Sequence, residues 1–259
     1  MVSNSSIIIF FTINGTMILL GTVSHALLKQ YDYTFMPVFV FNMFIMTSMA
    51  EAIRNSKADV EFISKGQRPS TFNTTDYIKT IVANSFSYYV ITHGILDKTA
   101  ETNLLYFIPI SFLYELLLDL CHYSAHRALH SVPALYKYIH KKHHSEHYIQ
   151  VYTSFNHTML DYFLTNTVPL AITSYIVPMS PHMFTIQFCY KVLVEIGGHS
   201  GKFAKAGSFP QCIWLPLFFN IALSNVDHNE HHINPMVNFS KRFSIWDKLF
   251  GTYADKNHV

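Results

Sequence analysis

Long apolar runs separated by short polar joints recur along this chain of 259 residues. The first, Ile7 to Leu28, is broken only by small polar residues and His25, and it reaches the length of about 20 residues that a helix needs to cross a bilayer. It has neither a basic leading region nor a clear small-residue cleavage site, so a retained span is expected rather than a cleaved leader. The turn Lys29 to Thr34 leads into a second run, Phe35 to Ala50. A polar stretch, Glu51 to Lys79, carries Arg54, Lys57, Lys65, Arg68 and Lys79. Apolar segments at 81–96 and 104–121 follow, joined by the loop 97–103. Two more, 159–177 and 182–196, read as a hairpin, because the Pro178-Met-Ser-Pro181 turn interrupts helix between them. The piece 213–223 is too short to span and reads as re-entrant or interfacial.

Composition strengthens the membrane reading. Half of the chain is hydrophobic and 13% is charged, against roughly 25% in soluble domains. The formal net charge of +2 and the absence of a long basic run argue against a nucleic-acid partner. Cys121, Cys189 and Cys212 are scattered and form no metal or disulfide pattern, so they read as small buried hydrophobes. Lys and Arg set the orientation. The basic loop 51–79 is expected in the cytoplasm, and two spans later the chain returns there at His122, near Arg127, Lys137, Lys141 and Lys142. The hairpin returns it again by His199, and the tail with Lys241, Arg242, Lys248 and Lys256 stays.

Histidine is the anomaly, with 16 in the chain and most of them between Asp119 and His232. His122 and His126, four apart, share one face of a helix, so both imidazoles can reach one metal. Glu115 and Asp119 continue that stripe backwards and could orient ligand rings from behind. His130 continues it forwards, but Pro133 leaves open whether the helix lasts that far. His140, His143 and His144 form H-x-x-H-H, in which the last two diverge by about 100° and can serve adjacent metals. His228, His231 and His232 repeat that arithmetic. Three such clusters supply too many nitrogens for one ion and suit two. Imidazole alone does not choose between iron, zinc, copper and nickel. The pattern therefore predicts an all-α integral membrane bundle of about four to six apolar segments under a cytoplasmic, histidine-rich metal-binding cap. Isolated histidines such as His25, His93 and His182 read as packed or interfacial.

From Leu105 onward the sequence resembles the sterol desaturase and fatty acid hydroxylase superfamily, by pattern most of all the C-4 methylsterol oxidases and cholesterol 25-hydroxylases. The resemblance rests on His122-Tyr-Ser-Ala-His126-Arg127, on Leu135-Tyr136 with His140-Lys-Lys-His143-His144, and on Asn156-His157 with Asp161. It continues through Gly198-His199-Ser200-Gly201, His228 to His232, and the close Phe243 to Thr252. It implies membrane-spanning segments over 1–103 and one catalytic unit over 104–259. It also implies a non-heme site of two iron ions, for which zinc can substitute in purified protein. The implied ligands are His122, His126, His140, His143, His144, His228, His231 and His232, with His199 as a ninth. His157 matches a family histidine usually followed by Pro; Thr158 stands here instead, which leaves its role open. Glu195, four before His199, is placed to hold that ring's second nitrogen, and Asp227 adjoins His228; either carboxylate could equally be a cap or solvated.

The same resemblance implies an oxygenase that hydroxylates a C–H bond of a lipid, sterol or fatty acyl, with O2. The His-Ser-Gly element inclines the substrate toward sterol. No G-x-G-x-x-G or haem-attachment motif is present, so electrons are expected from a separate donor, in this family cytochrome b5 or an NAD(P)H-dependent reductase. The expected location is the endoplasmic reticulum. Desaturation and aldehyde decarbonylation share such a site and remain open. A metal transporter or metal-binding protein is the alternative of another class, although transport sites favour the bilayer midplane and these clusters sit at segment ends. A zinc hydrolase lacks its H-E-x-x-H.

Overall fold

The computed structural model describes residues 4–30, 35–56, 71–147, 149–202 and 208–254. Lys57, Lys65, Arg68 and Lys256, on which part of the orientation argument rests, lie outside them, as does the turn 31–34. The long helices are α1 (Asn4–Gln30), α2 (Phe35–Ser56), α3 (Thr74–Gly94) and α4 (Phe107–Ser131). Among the described residues, three helices are long and apolar enough to cross a membrane: Ile7–Gln30, Met36–Asn55 and Leu104–Ser131. The expected segment at 81–96 belongs to α3, which starts earlier because the Asn73 side chain accepts from Thr75 N and Asp76 N at 3.0 and 3.2 Å. It buries Thr80, Asn84, Ser85 and Ser87, so much of its packed surface is polar.

After α4 the chain breaks at Val132, where Pro133 cannot continue the helix, and re-enters a π-helical turn at Tyr136–His140. The predicted hairpin forms. Its first arm starts at Met159–Tyr162, widens into a π turn at Phe163–Thr167 and continues as α5 (Val168–Ile176). Its second arm is α6 (Pro181–Gly198), capped by Ser180 with Pro181 in the first turn. A short helix at Trp214–Phe218 and α7 (Asn225–Ile233) complete the part that concerns the site. Among the described residues there is no strand; Ala222 and Phe243 form an isolated antiparallel bridge.

The axis of the bundle is α6. It is apolar almost all round, as a helix enclosed on every side must be, and buries an unbroken stretch from Met183 to Val194. α1 packs along it and α2 beside it. Gly21 makes the α1 contact possible, since a Cβ there would stand 2.6 Å from Ile186 Cα. Lys191 is tolerated within α6 because its ammonium meets Glu195 at 2.9 Å.

The C-terminal segment is tied back onto α4 by buried charge. The Asp119 carboxylate accepts the backbone N–H groups of Lys241, Arg242 and Phe243 at 2.8 to 3.0 Å. Arg242, 2% exposed, pairs with Glu115, which also accepts from Gln187 of α6. These bonds hold the 237–243 backbone against the histidine face of α4.

Candidate metal centre

Four separate chain segments bring their imidazoles together. His126 and His130 of α4, His140 and His144 beyond the Pro133 break, and His231 of α7 form one group. His143, His199, His228 and His232 form a second, and within each group one nitrogen per ring lies within 4.8 Å of all the others. The divergence of neighbouring residues in H-x-x-H-H does the sorting. His143 and His144 go to different groups, and so do His231 and His232. All are buried except the half-buried His130 and His143.

For most of these rings a hydrogen bond at Nδ1 fixes which nitrogen faces inward. His126 donates from Nδ1 to Phe239 O at 2.8 Å, and His231 donates from Nδ1 to Val237 O at 2.6 Å. Each neutral imidazole carries one hydrogen, so both Nε2 atoms are bare lone pairs, and they face each other at 3.1 Å. Two lone pairs at that distance repel unless a cation lies between them. His140 gives Nδ1 to the Asp161 carboxylate at 2.9 Å and brings Nε2 to 3.0 Å from that of His126. In the second group His199 donates to Glu195 O at 3.0 Å, His232 to Glu146 O at 3.2 Å and His143 to Asn156 O at 3.3 Å. Nε2 of His199 then approaches that of His228 at 3.1 Å, while Nε2 of His232 is buried without any partner. Buried polar atoms are rarely left so. The donor set fits two metal ions.

Electrostatics keeps these rings neutral. Burial, then the Lys241 charge, pushes His199 down to about 4. Burial, with the nearby His140 ring, pushes His231 down to about 3. His143, His228 and His232 lie well below the usual imidazole value, first through burial and then through neighbouring rings. Neutral imidazole is the form that ligates.

Two cavities meet here. A small one, about 50 Å³, is lined by His126 and His140 of the first group and His143, His199 and His228 of the second. A larger one, about 420 Å³, lies among α1, α2 and α6, walled by apolar residues such as Ile13, Ala50, Leu193 and Leu223, and ends on His199 and His228. Glu195 and Lys241, paired at 3.2 Å, line both.

Two of the residues implied by the resemblance stand apart from both groups. His122 donates from Nδ1 to Thr165 O at 2.8 Å, and His157 contacts Thr80 Oγ1 through Nε2 at 3.0 Å; both border the small cavity. Of the expected carboxylate supports, Asp119 and Glu195 have their carboxylates engaged elsewhere, and Asp227 takes the capping role that its position left open. Asp119 is engaged by backbone amides, Glu195 meets His199 through its carbonyl while its carboxylate faces Lys191 and Lys241, and Asp227 caps α7 at Ser224. His130 joins the first group because α4 lasts to Ser131, so the stripe of every fourth residue in fact continues. The Asp161 carboxylate does meet an imidazole, that of His140.

The chain is thus a helical membrane protein with a buried, all-histidine metal-binding centre. Residues 111–252 match the model of the fatty acid hydroxylase family, and the chain belongs to that family, within the sterol desaturase and fatty acid hydroxylase superfamily. It is 32% identical over 152 residues to a fatty acid hydroxylase of a Lecanicillium species, covering 56% of this chain and 41% of that protein. It is 32% identical over 153 residues to a very-long-chain aldehyde decarbonylase of Oryza sativa subsp. indica, covering 56% of this chain and 54% of the relative. A sphinganine C4-monooxygenase of Arabidopsis thaliana aligns over 85% of this chain and 86% of its own length at 24% identity. The chain therefore spans about half the length of the first two of these curated relatives. No solved structure matches it.

Proposed function

We propose that this protein is a membrane oxygenase that holds two iron ions in its paired histidine groups and hydroxylates a C–H bond of a lipid. The observation that carries the reading is the facing of Nε2 lone pairs between His126 and His231, together with the close approach of His199 and His228 at the end of an apolar cavity of about 420 Å³. In this reading His126, His130, His140, His144 and His231 hold one ion, and His143, His199, His228 and His232 the other. Bound iron would supply the activation of O2, with two electrons per turnover from a separate donor such as cytochrome b5 or an NAD(P)H-dependent reductase.

The chain's own residues do the rest. Nδ1–H bonds to backbone carbonyls and to Asp161 hold His126, His140, His143, His199, His231 and His232 in one tautomer, so these rings need no reorganisation when metal binds. The apolar walls exclude water and hold the substrate carbon close to His199 and His228. The Glu195–Lys241 pair stands between the lipid cavity and the smaller cavity beside the rings. Similarity to a sphinganine C4-monooxygenase over most of the chain favours a long unbranched lipid chain, whereas the His-Ser-Gly element inclines toward sterol. The aldehyde decarbonylase among the relatives keeps one second reading, in which the same centre cleaves an aldehyde carbon. We place the centre on the cytoplasmic face of the endoplasmic reticulum membrane, with residues 1–103 as membrane segments and 104–259 as the catalytic unit. The test is lipid profiling of cells that express the protein beside its His143→Ala/His144→Ala variant. A hydroxylated lipid is expected with the wild type alone; identical profiles from both and from empty cells would remove the oxygenase reading.

A further inference from the structure

The short helix Trp214–Phe218 and Phe219 beyond it lie against the outside of two candidate spans. The Trp214 ring meets Phe10 of α1 at 5.1 Å between centroids, and Phe219 stacks on Phe112 of α4 at 6.1 Å. Just upstream, Asn14 of α1 donates from Nδ2 to Pro210 O at 3.0 Å. The other side of the segment is bare, with Trp214 55%, Phe218 82% and Phe219 54% exposed. An apolar patch of this kind marks a contact surface. The helix residues the segment meets, Phe10 and Phe112, are followed in sequence by Phe11 of α1 and Leu113 of α4, exposed side chains of helices apolar enough to span. A Trp beside the first turns of a span also suits the edge of a bilayer. The segment is moreover attached to the larger cavity, since Phe10, Ile13, Pro210 and Ile213 line it.

We propose that Trp214–Phe219 is embedded among the lipid chains of the bilayer, and that the seam between it and α1 is the door by which a chain of that leaflet reaches His199 and His228. The door rests on the oxygenase reading; the embedding does not. Sequence length alone marked 213–223 as too short to span, and the structure supplies the contacts that seat it beside α1 and α4.

The chain has two tryptophans, and Trp246 is held inward, donating from Nε1 to Leu116 O at 3.2 Å. The Trp246→Phe variant leaves Trp214 as the sole reporter in the full-length protein reconstituted into phosphatidylcholine brominated along its acyl chains. Loss of Trp214 emission to the bromines, with protection from aqueous iodide, is expected. Quenching by iodide with no effect of the bromines overturns the embedding. Should Trp246→Phe fail to fold, the difference between the wild type and Trp214→Phe reads the same quantity. For the door, a diazirine-bearing fatty acid dissolved in the same bilayer is expected to cross-link to Ile13 and Ile213, and to lose the Ile213 cross-link in Ile13→Trp, which fills the cavity. Cross-links confined to Phe11 and Leu113 overturn the door. Neither readout needs metal or turnover, so a chain without oxygenase activity is told apart from one without this entrance.

Discussion

His126 and His231 have almost no freedom in how they present a lone pair, because each Nδ1–H is held by a backbone carbonyl of the 237–239 segment. His140 differs in that a carboxylate, not a backbone carbonyl, orients its ring. Asp161→Asn is therefore expected to lower metal affinity by about 10- to 100-fold while the protein still folds, read by competition with a chelator. An unchanged affinity would show that the carboxylate does not matter. Protons compete for the same nitrogens. With His199 and His231 held at about 4 and about 3, bound metal is expected to persist from pH 8 to near 5 and to be released as pH falls toward those values. In chelated protein the sign is also fixed. Below the ordinary imidazole value the unfolded chain takes up protons that the buried rings resist, so stability rises with pH through that window. Thermal midpoints of chelated protein at pH 5 and 7 check this; a higher midpoint at pH 5 would contradict it. The histidine spacing was legible at this scale. The orienting groups were not, since the carbonyls of Phe239, Val237, Asn156 and Glu146 carry no signature in a sequence, and carboxylates near the boxes drew attention instead.

Among the elements, the turns matter as much as the helices. Gly201 has φ +69°, and a Cβ there would stand 2.5 Å from Ile149 O, so only glycine lets the chain turn immediately after His199. Gly201→Ala is expected to displace His199 and to reduce metal content by about one ion per chain, leaving the first group filled. Full retention of metal would mean that the turn does not position the ring. The apolar pattern showed where α1, α2, α4 and the hairpin lie. It placed the start of α3 late, because its opening residues, Thr74 to Lys79, read as part of the polar stretch, although Asp76 among them is in fact buried. It also left His130 open, because Pro133 stops the helix only after Ser131. The π turns at Tyr136–His140 and Phe163–Thr167 have no apolar periodicity to reveal them, yet they lie beside the histidines.

For the whole molecule, the connection between α4 and the C-terminal segment decides whether a centre exists at all. Asp119, Glu115 and Arg242 pin the 237–243 backbone, that backbone orients rings on α4 and α7, and α6 leads the apolar cavity to the remaining rings. The central claim is that two sets of imidazoles, drawn from segments far apart in sequence, each bind one ion. Metal quantification on purified full-length protein reconstituted with ferrous iron, beside the variants His126→Ala/His231→Ala and His199→Ala/His228→Ala, tests it most directly. About two ions per chain are expected in the wild type, and about one in each folded variant. A wild-type protein that holds no more than one ion, or variants that keep the full complement, would contradict the account.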